Sequence, residues 1–265
     1  MYRRGQGTPE WLPAATVTIH SHFYSYIDES GKRNPEMEEL LANVETVVAP
    51  IVLKLVSSGL SALSPRERRS LIFFVACAYA RTPQTRRTIV RGIEKLGVSK
   101  LKDFVEDEPK FRASLVRYNA VKGEALKEED ARRFIGTVLS GDATLRLKDK
   151  ARIGFPLLTI VPLCSMFLSM HWRLLHAPLG KEFVTSDNPV IIAGPARASE
   201  TRDLEITMPL DPQHCLLLTW GGPSEDVIAY SDQGWADDVV RRTTVGADRE
   251  VYAPHKNPVV ARNLP

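Results

Sequence analysis

Residues 183–192 read Phe183-Val184-Thr185-Ser186-Asp187-Asn188-Pro189-Val190-Ile191-Ile192, two apolar strand-like runs that pinch a polar corner between them. Ser, Asp and Asn side chains bond nearby backbone groups and favour turns, and proline fixes φ while keeping the residue before it out of the helical region. The stretch predicts strand, tight turn and strand, with Asp187 held at the rim of a sheet. The same punctuation recurs on its C-terminal side. Short apolar or β-branched runs at 204–208, 214–219, 227–230 and 251–252 are separated by Gly194-Pro195, Asp211-Pro212 and Gly221-Gly222-Pro223, with one helix over 235–244 among them.

Upstream the periodicity is helical. Asn34 as cap, Pro35 at the first helical position and Glu36, Glu38 and Glu39 near the positive end of the dipole predict a helix running to Gly59. Met37, Leu40, Leu41, Val44, Val47, Val48 and Ile51 recur along it at helical spacing, and Pro50 predicts a kink. Glu45 sits beside that stripe, either as a solvated flank or as a carboxylate turned into a polar site. Ser64-Pro65-Arg66-Glu67 is a capping box that starts a helix ending by Thr82, and Thr82-Pro83 opens another running to Gly97. A further helix is predicted over 126–140.

The apolar run from Phe155 to Met170 is shorter than the roughly 20 residues that span hydrocarbon, so it predicts a buried core helix, closing over His171-Trp172-Arg173-Leu174-Leu175-His176. Residues 15–22 predict one more strand. His20 and His22 would share one side of it, an exposed pair or two metal ligands without a third nearby.

Helices first and strands after predict an α+β protein. Its helical N-terminal two-thirds, about 34–176, would pack against a mostly antiparallel C-terminal sheet, about 181–265, in a single domain. Composition agrees: 43% hydrophobic and 25% charged residues over 265 positions suit a globular chain with a sizeable core. Cys77, Cys164 and Cys215 lie far apart in apolar runs, which predicts free thiols in a reducing cytoplasm. Met1-Tyr2-Arg3-Arg4-Gly5 leads into no apolar core of a signal peptide, so a soluble, cytoplasmic protein with no membrane partner is expected.

Net charge is +3, too little to imply a polyanion, yet residues 66–100 alone carry +7. Arg87 and Arg91 are one helical turn apart with Arg86 adjacent, a face that suits phosphate and equally suits solvent.

An ordered set of motifs resembles the bacterial family called domain of unknown function 4238. Phe23-Tyr24 comes first, then the acidic helix with Glu45 and the corner Arg81-Thr82-Pro83-Gln84-Thr85-Arg86. Trp172, Thr185-Ser186-Asp187-Asn188-Pro189-Val190 and Pro209-Leu210 follow in the family's order. The resemblance also implies an N-terminal His-Tyr-Val-Pro-Gln segment, which residues 1–22 do not carry, so any chemistry of that histidine is expected to be missing. It supplies positions and no reaction.

Three readings follow for those positions. In the first the protein is a phosphate-directed, nuclease-like hydrolase. Asp187 and Glu45 would be acid/base groups or ligands of Mg²⁺ or Mn²⁺, with Arg81 and Arg86 clamping phosphate and Ser186 and Asn188 lining the site. No Gly-rich phosphate loop and no Gly-x-Ser-x-Gly elbow accompany them. In the second, the arginine helices bind nucleic acid or another anionic ligand without turnover. In the third the residues are structural, Asp187 accepting turn amides and pairing with Arg81 while Glu45 pairs with Arg86.

Overall fold

The computed structural model describes residues 1–6, 8–13, 26–27, 32–123, 125–193, 204–221, 228–229 and 233–264. The strand expected over 15–22, His20, His22 and Phe23-Tyr24 lie outside the described residues, as do the turns at Gly194-Pro195 and Gly222-Pro223. In chain order the elements are β1 (Tyr2–Arg3), β2 (Tyr26–Ile27), β3 (Arg33–Asn34), α1 (Glu36–Ser58), α2 (Pro65–Ala80), α3 (Pro83–Glu106), α4 (Glu108–Lys122), α5 (Glu128–Leu139), α6 (Asp149–Leu158), α7 (Ile160–Leu168), β4 (His171–His176), β5 (Thr185–Ser186), β6 (Ile191–Ala193), β7 (Glu205–Pro209), β8 (His214–Thr219), β9 (Ile228–Ala229), α8 (Gln233–Gly246), β10 (Glu250–Tyr252) and α9 (Pro258–Asn263). The chain is an α+β protein, helical first and strand-rich after, and it divides into two compact units: Met1–Arg86 with Pro156–Pro265, and Arg87–Phe155.

Helix starts follow the local chemistry. Ser64 Oγ accepts from the Glu67 amide and Glu67 returns the bond to the Ser64 amide, a complete capping box at α2. Bonds from Ser64 and Lys54 hold the Glu67 carboxyl down to about 2. Asn34 acts from one residue farther out than expected. Pro35 takes the cap position, and the Glu36 amide donates to Asn34 Oδ1 at 2.9 Å. Pro50 lies inside α1, which continues to Ser58 and stops where Gly59 adopts φ 79°.

In the first unit a five-stranded sheet runs β6-β7-β8-β4-β9, antiparallel except where β9 joins β4 in parallel. Side chains alternate across it. Trp172, Leu174, Ile206, Leu216 and Leu218 enter one core with Leu55 of α1, Leu71, Ile72 and Val75 of α2 and Phe167 of α7. Leu175, Cys215 and Leu217 point the other way, to Phe183 and to Ala236 and Val239 of α8. β8 is therefore covered on both faces, which is why Cys215-Leu216-Leu217-Leu218 is a continuous apolar run. A second, three-stranded sheet runs β1-β10-β5, antiparallel throughout.

Residues 155–176 depart from the expectation of one buried helix. Residues 171–176 form β4, paired residue for residue with β8 from His171↔Thr219 to His176↔His214. Upstream, α6 and α7 meet at Thr159 and bury only part of their surface. Ile160 and Phe167 enter the core, whereas Leu158 and Val161 are 69% and 74% exposed. By length and composition alone, two helical stretches among the described residues suffice to cross a membrane: Glu36–Ser58 and Asp149–Leu168, each of mean hydropathy 1.7 with 22% of the window buried.

In the second unit Arg132 bonds Glu108 and Glu128 and lies over the Phe111 ring, while Phe104 meets Phe111 edge to face. α3 does not stop at Gly97. A Cβ there would come within 2.8 Å of Leu145 Cδ2, so this glycine serves close packing rather than helix termination.

Candidate functional site

The polar corner is fixed by the pairing of β5 with β10, Thr185 opposite Tyr252 and Ser186 opposite Val251. Ser186 Oγ donates to the Asn188 carbonyl at 2.8 Å and accepts from the Asn188 amide at 3.1 Å, closing the turn on itself. Its hydroxyl proton is thereby directed at a backbone carbonyl and not at a base.

Asp187 is at the centre of the loop that follows α8. Its Oδ1 accepts from the Asp248 amide at 2.8 Å, and its Oδ2 from the amides of Arg249 at 2.7 Å and Glu250 at 3.2 Å. Three backbone donors on one carboxylate are charge-assisted bonds, each worth about 1.5–3 kcal/mol. Next to it the buried Glu250 carboxylate accepts from Arg3 Nε at 3.0 Å and from the Tyr252 hydroxyl at 2.8 Å. Burial, then the bond to Glu250 and the charges of Glu250 and Asp187, push the Tyr252 phenol well above its ordinary value.

Asn188 faces another set of partners. Its Nδ2 donates to Gln84 Oε1 at 3.1 Å and to the Gly246 carbonyl at 3.0 Å, while its Oδ1 is buried without a partner among the described residues. Gln84 stands in the first turn of α3, where Thr82 Oγ1 accepts the Thr85 amide as cap. A Cβ on Gly246 would come within 2.5 Å of Ile191 Cδ1, so the end of α8 needs glycine to reach this corner.

Arg81, at the C-terminal cap of α2, makes its ion pair with Glu45 on α1, across the helix hairpin. Asp187 accepts backbone amides as expected, but the expected ion pairs are corrected: Arg81 pairs with Glu45 and not with Asp187, and Glu45 takes Arg81 where Arg86 was expected. Arg86 sits in the first turn of α3, its amide donating to the Thr82 carbonyl at 2.9 Å. Ser186, Asn188 and the corner bearing Arg81 are thus brought together through Gln84. Asp187, next in sequence, belongs to the β1-β10-β5 sheet and its loop.

Mg²⁺ or Mn²⁺ does not fit this donor set. Both Asp187 oxygens already accept N–H donors, Glu45 holds a guanidinium, and among the described residues no group of three or more His, Cys, Asp or Glu is arranged for a metal ion.

Two groups escaped the sequence reading. Glu250 and Tyr252 are two apart on a strand, so they share a side, a signal that was available. At the other end of the five-stranded sheet, Asp211 Oδ1 accepts the Gln213 and His214 amides. Its carboxylate also meets His214 Nδ1 at 2.9 Å, and the His176 ring stands edge to face 4.5 Å from His214. Burial and the neighbouring His214 lower the His176 pKa.

The family model described as Protein of unknown function (DUF4238) matches residues 3–257, nearly the whole chain. The chain belongs to the DUF4238 family. Its corner Arg81-Thr82-Pro83-Gln84 and its turn Ser186-Asp187-Asn188-Pro189, distant in sequence, are joined in this DUF4238 protein by the Gln84–Asn188 bond. No curated protein and no solved structure matches the chain.

Proposed function

We propose that this DUF4238 chain is a non-catalytic module that binds an anionic partner, with the Ser186-Asp187-Asn188 turn acting as the joint that holds its layers in register. One observation carries the reading: the Asp187 carboxylate, the best candidate for chemistry, is spent on three backbone amides. A phosphate-directed hydrolase would need that carboxylate to give up its amide donors before it could hold a metal or take a proton. Arg66 and Arg69 support the anionic partner. Both are exposed on α2, and their guanidinium groups have neither ion pair nor hydrogen bond among the described residues. A cytoplasmic location belongs to the same reading, supported by the free Cys77, Cys164 and Cys215; burial pushes the Cys77 thiol up to about 11.

The test is degradation of labelled single-stranded RNA and DNA with Mg²⁺ or Mn²⁺, run beside salt-dependent binding of the same probes. The module reading expects no cleavage, and retention that falls steeply with salt and weakens in Arg66→Ala/Arg69→Ala. Cleavage by wild type, abolished in a folded Asp187→Ala variant, would establish the nuclease instead.

A further inference from the structure

A groove of about 390 Å³ runs between α1 and α2, floored by Leu40, Val44, Val47 and Phe73 and flanked by Arg66 and Arg69. Leu40 and Val47 are 51% and 58% exposed, so the floor of the groove presents apolar surface to solvent. Charge along the groove is ordered. The ion pairs Lys54–Glu67 and Arg81–Glu45 make α1 and α2 antiparallel, so Arg66 and Arg69 lie at one end. Glu36 and Glu39, in the turn of α1 before Leu40, lie beyond the other. Glu36, Leu40, Asn43 and Val47 follow one another at intervals of four, three and four, which puts them on a single face of α1. Glu36 and Glu39 are exposed, and their carboxylates have no partner among the described residues.

A uniformly acidic partner would engage the arginine end alone and leave the apolar centre and the glutamate end unmatched. The matching surface must run apolar in the middle with the charges reversed, and a second copy related by a two-fold axis presents that order by symmetry. We propose that this face is an isologous interface between two copies of the chain. Apolar centre packs on apolar centre, and Glu36 and Glu39 of each copy meet Arg66 and Arg69 of the other. The inference rests on the binding-module reading and makes the anionic surface that meets Arg66 and Arg69 the Glu36 and Glu39 pair of a second copy.

Sedimentation velocity on the full chain over a concentration series tests it. The wild type is expected to dimerise reversibly. Arg66→Glu/Arg69→Glu makes both ends acidic and Glu36→Arg/Glu39→Arg makes both ends basic, so each variant alone should dimerise roughly a hundredfold more weakly or worse. An equimolar mixture of the two should restore a dimer containing one of each, because every contact is again between opposite charges. Circular dichroism melts on both variants keep misfolding apart from lost association. If the Glu36→Arg/Glu39→Arg melt shows a folding defect, Val47→Lys in the wild-type background replaces it and should leave a monomer. A wild type that stays monomeric at every concentration, or a dimer that survives both charge reversals, overturns the inference. In the first case, persisting salt-dependent binding of anionic probes would leave the module reading standing, and its absence would remove that reading too.

Discussion

Asn188 holds Gln84 across 104 residues of chain, Nδ2 donating to Oε1 at 3.1 Å, and thereby ties the turn after β5 to the start of α3. Asp187, its neighbour, is committed elsewhere, to the loop before β10. The turn works as a clamp with two jaws.

The first jaw is tested by Asp187→Asn. The amide keeps one accepting oxygen but turns its NH₂ group on at least one of the three backbone donors and removes the charge, so stability should fall by roughly 2–4 kcal/mol. A melting curve that moves by less than about 2 °C would mean that the carboxylate is not the centre of the loop.

The pair Glu45–Arg81 should matter far less. Its side chains are 48% and 28% exposed, and exposed pairs contribute about 0–1 kcal/mol. A double-mutant cycle with Glu45→Ala and Arg81→Ala in chemical denaturation is expected to return a coupling energy within that range.

Gly246→Ala places a methyl group against Ile191 Cδ1, and the strain should destabilise by about 1–3 kcal/mol. Ile191→Val removes that atom, so the double variant should lose less than the two single losses added together. Additive losses would locate the damage elsewhere.

Alkaline stability reports on Tyr252. Its phenol stays protonated in the fold at a pH where the unfolded chain, near its ordinary value of 10, has ionised. The contribution is full below about pH 10 and shrinks as pH rises above it. The stability gap between wild type and Tyr252→Phe should therefore narrow as pH rises above about 10; a gap that widens contradicts the geometry.

Much of this was readable from residues. Ser64-Pro65-Arg66-Glu67 gave the start of α2 because capping is a local exchange of two hydrogen bonds. Thr185 to Pro189 gave the corner because its side chains bond within the turn. His171 to His176 did not read as a strand. Its apolar residues continue a longer apolar run, and only pairing with β8, from His171↔Thr219 to His176↔His214, decides for strand over helix. That Asp187 accepts backbone amides was legible from its turn, but not that they are those of Asp248, Arg249 and Glu250. Such amides are common to nearly every residue, and no side-chain pattern announces which are used. The second jaw, Gln84, was quoted within its motif, but nothing in the one-dimensional string links it to Asn188.

The pairing of β1 with β10 sets Tyr2 against Val251 and Arg3 against Glu250, and the Tyr2 hydroxyl accepts the Asn257 amide at 2.6 Å. Contacts so far apart in sequence carry the largest loop-closure penalty and form late. During synthesis, Tyr2 and Arg3 must wait for a strand almost 250 residues downstream to leave the ribosome, with Glu250 unscreened until they meet. A translation arrest before β10 should leave a nascent chain in which the five-stranded sheet can fold while its smaller companion stays open, a state that pulse proteolysis on stalled ribosomes would reveal.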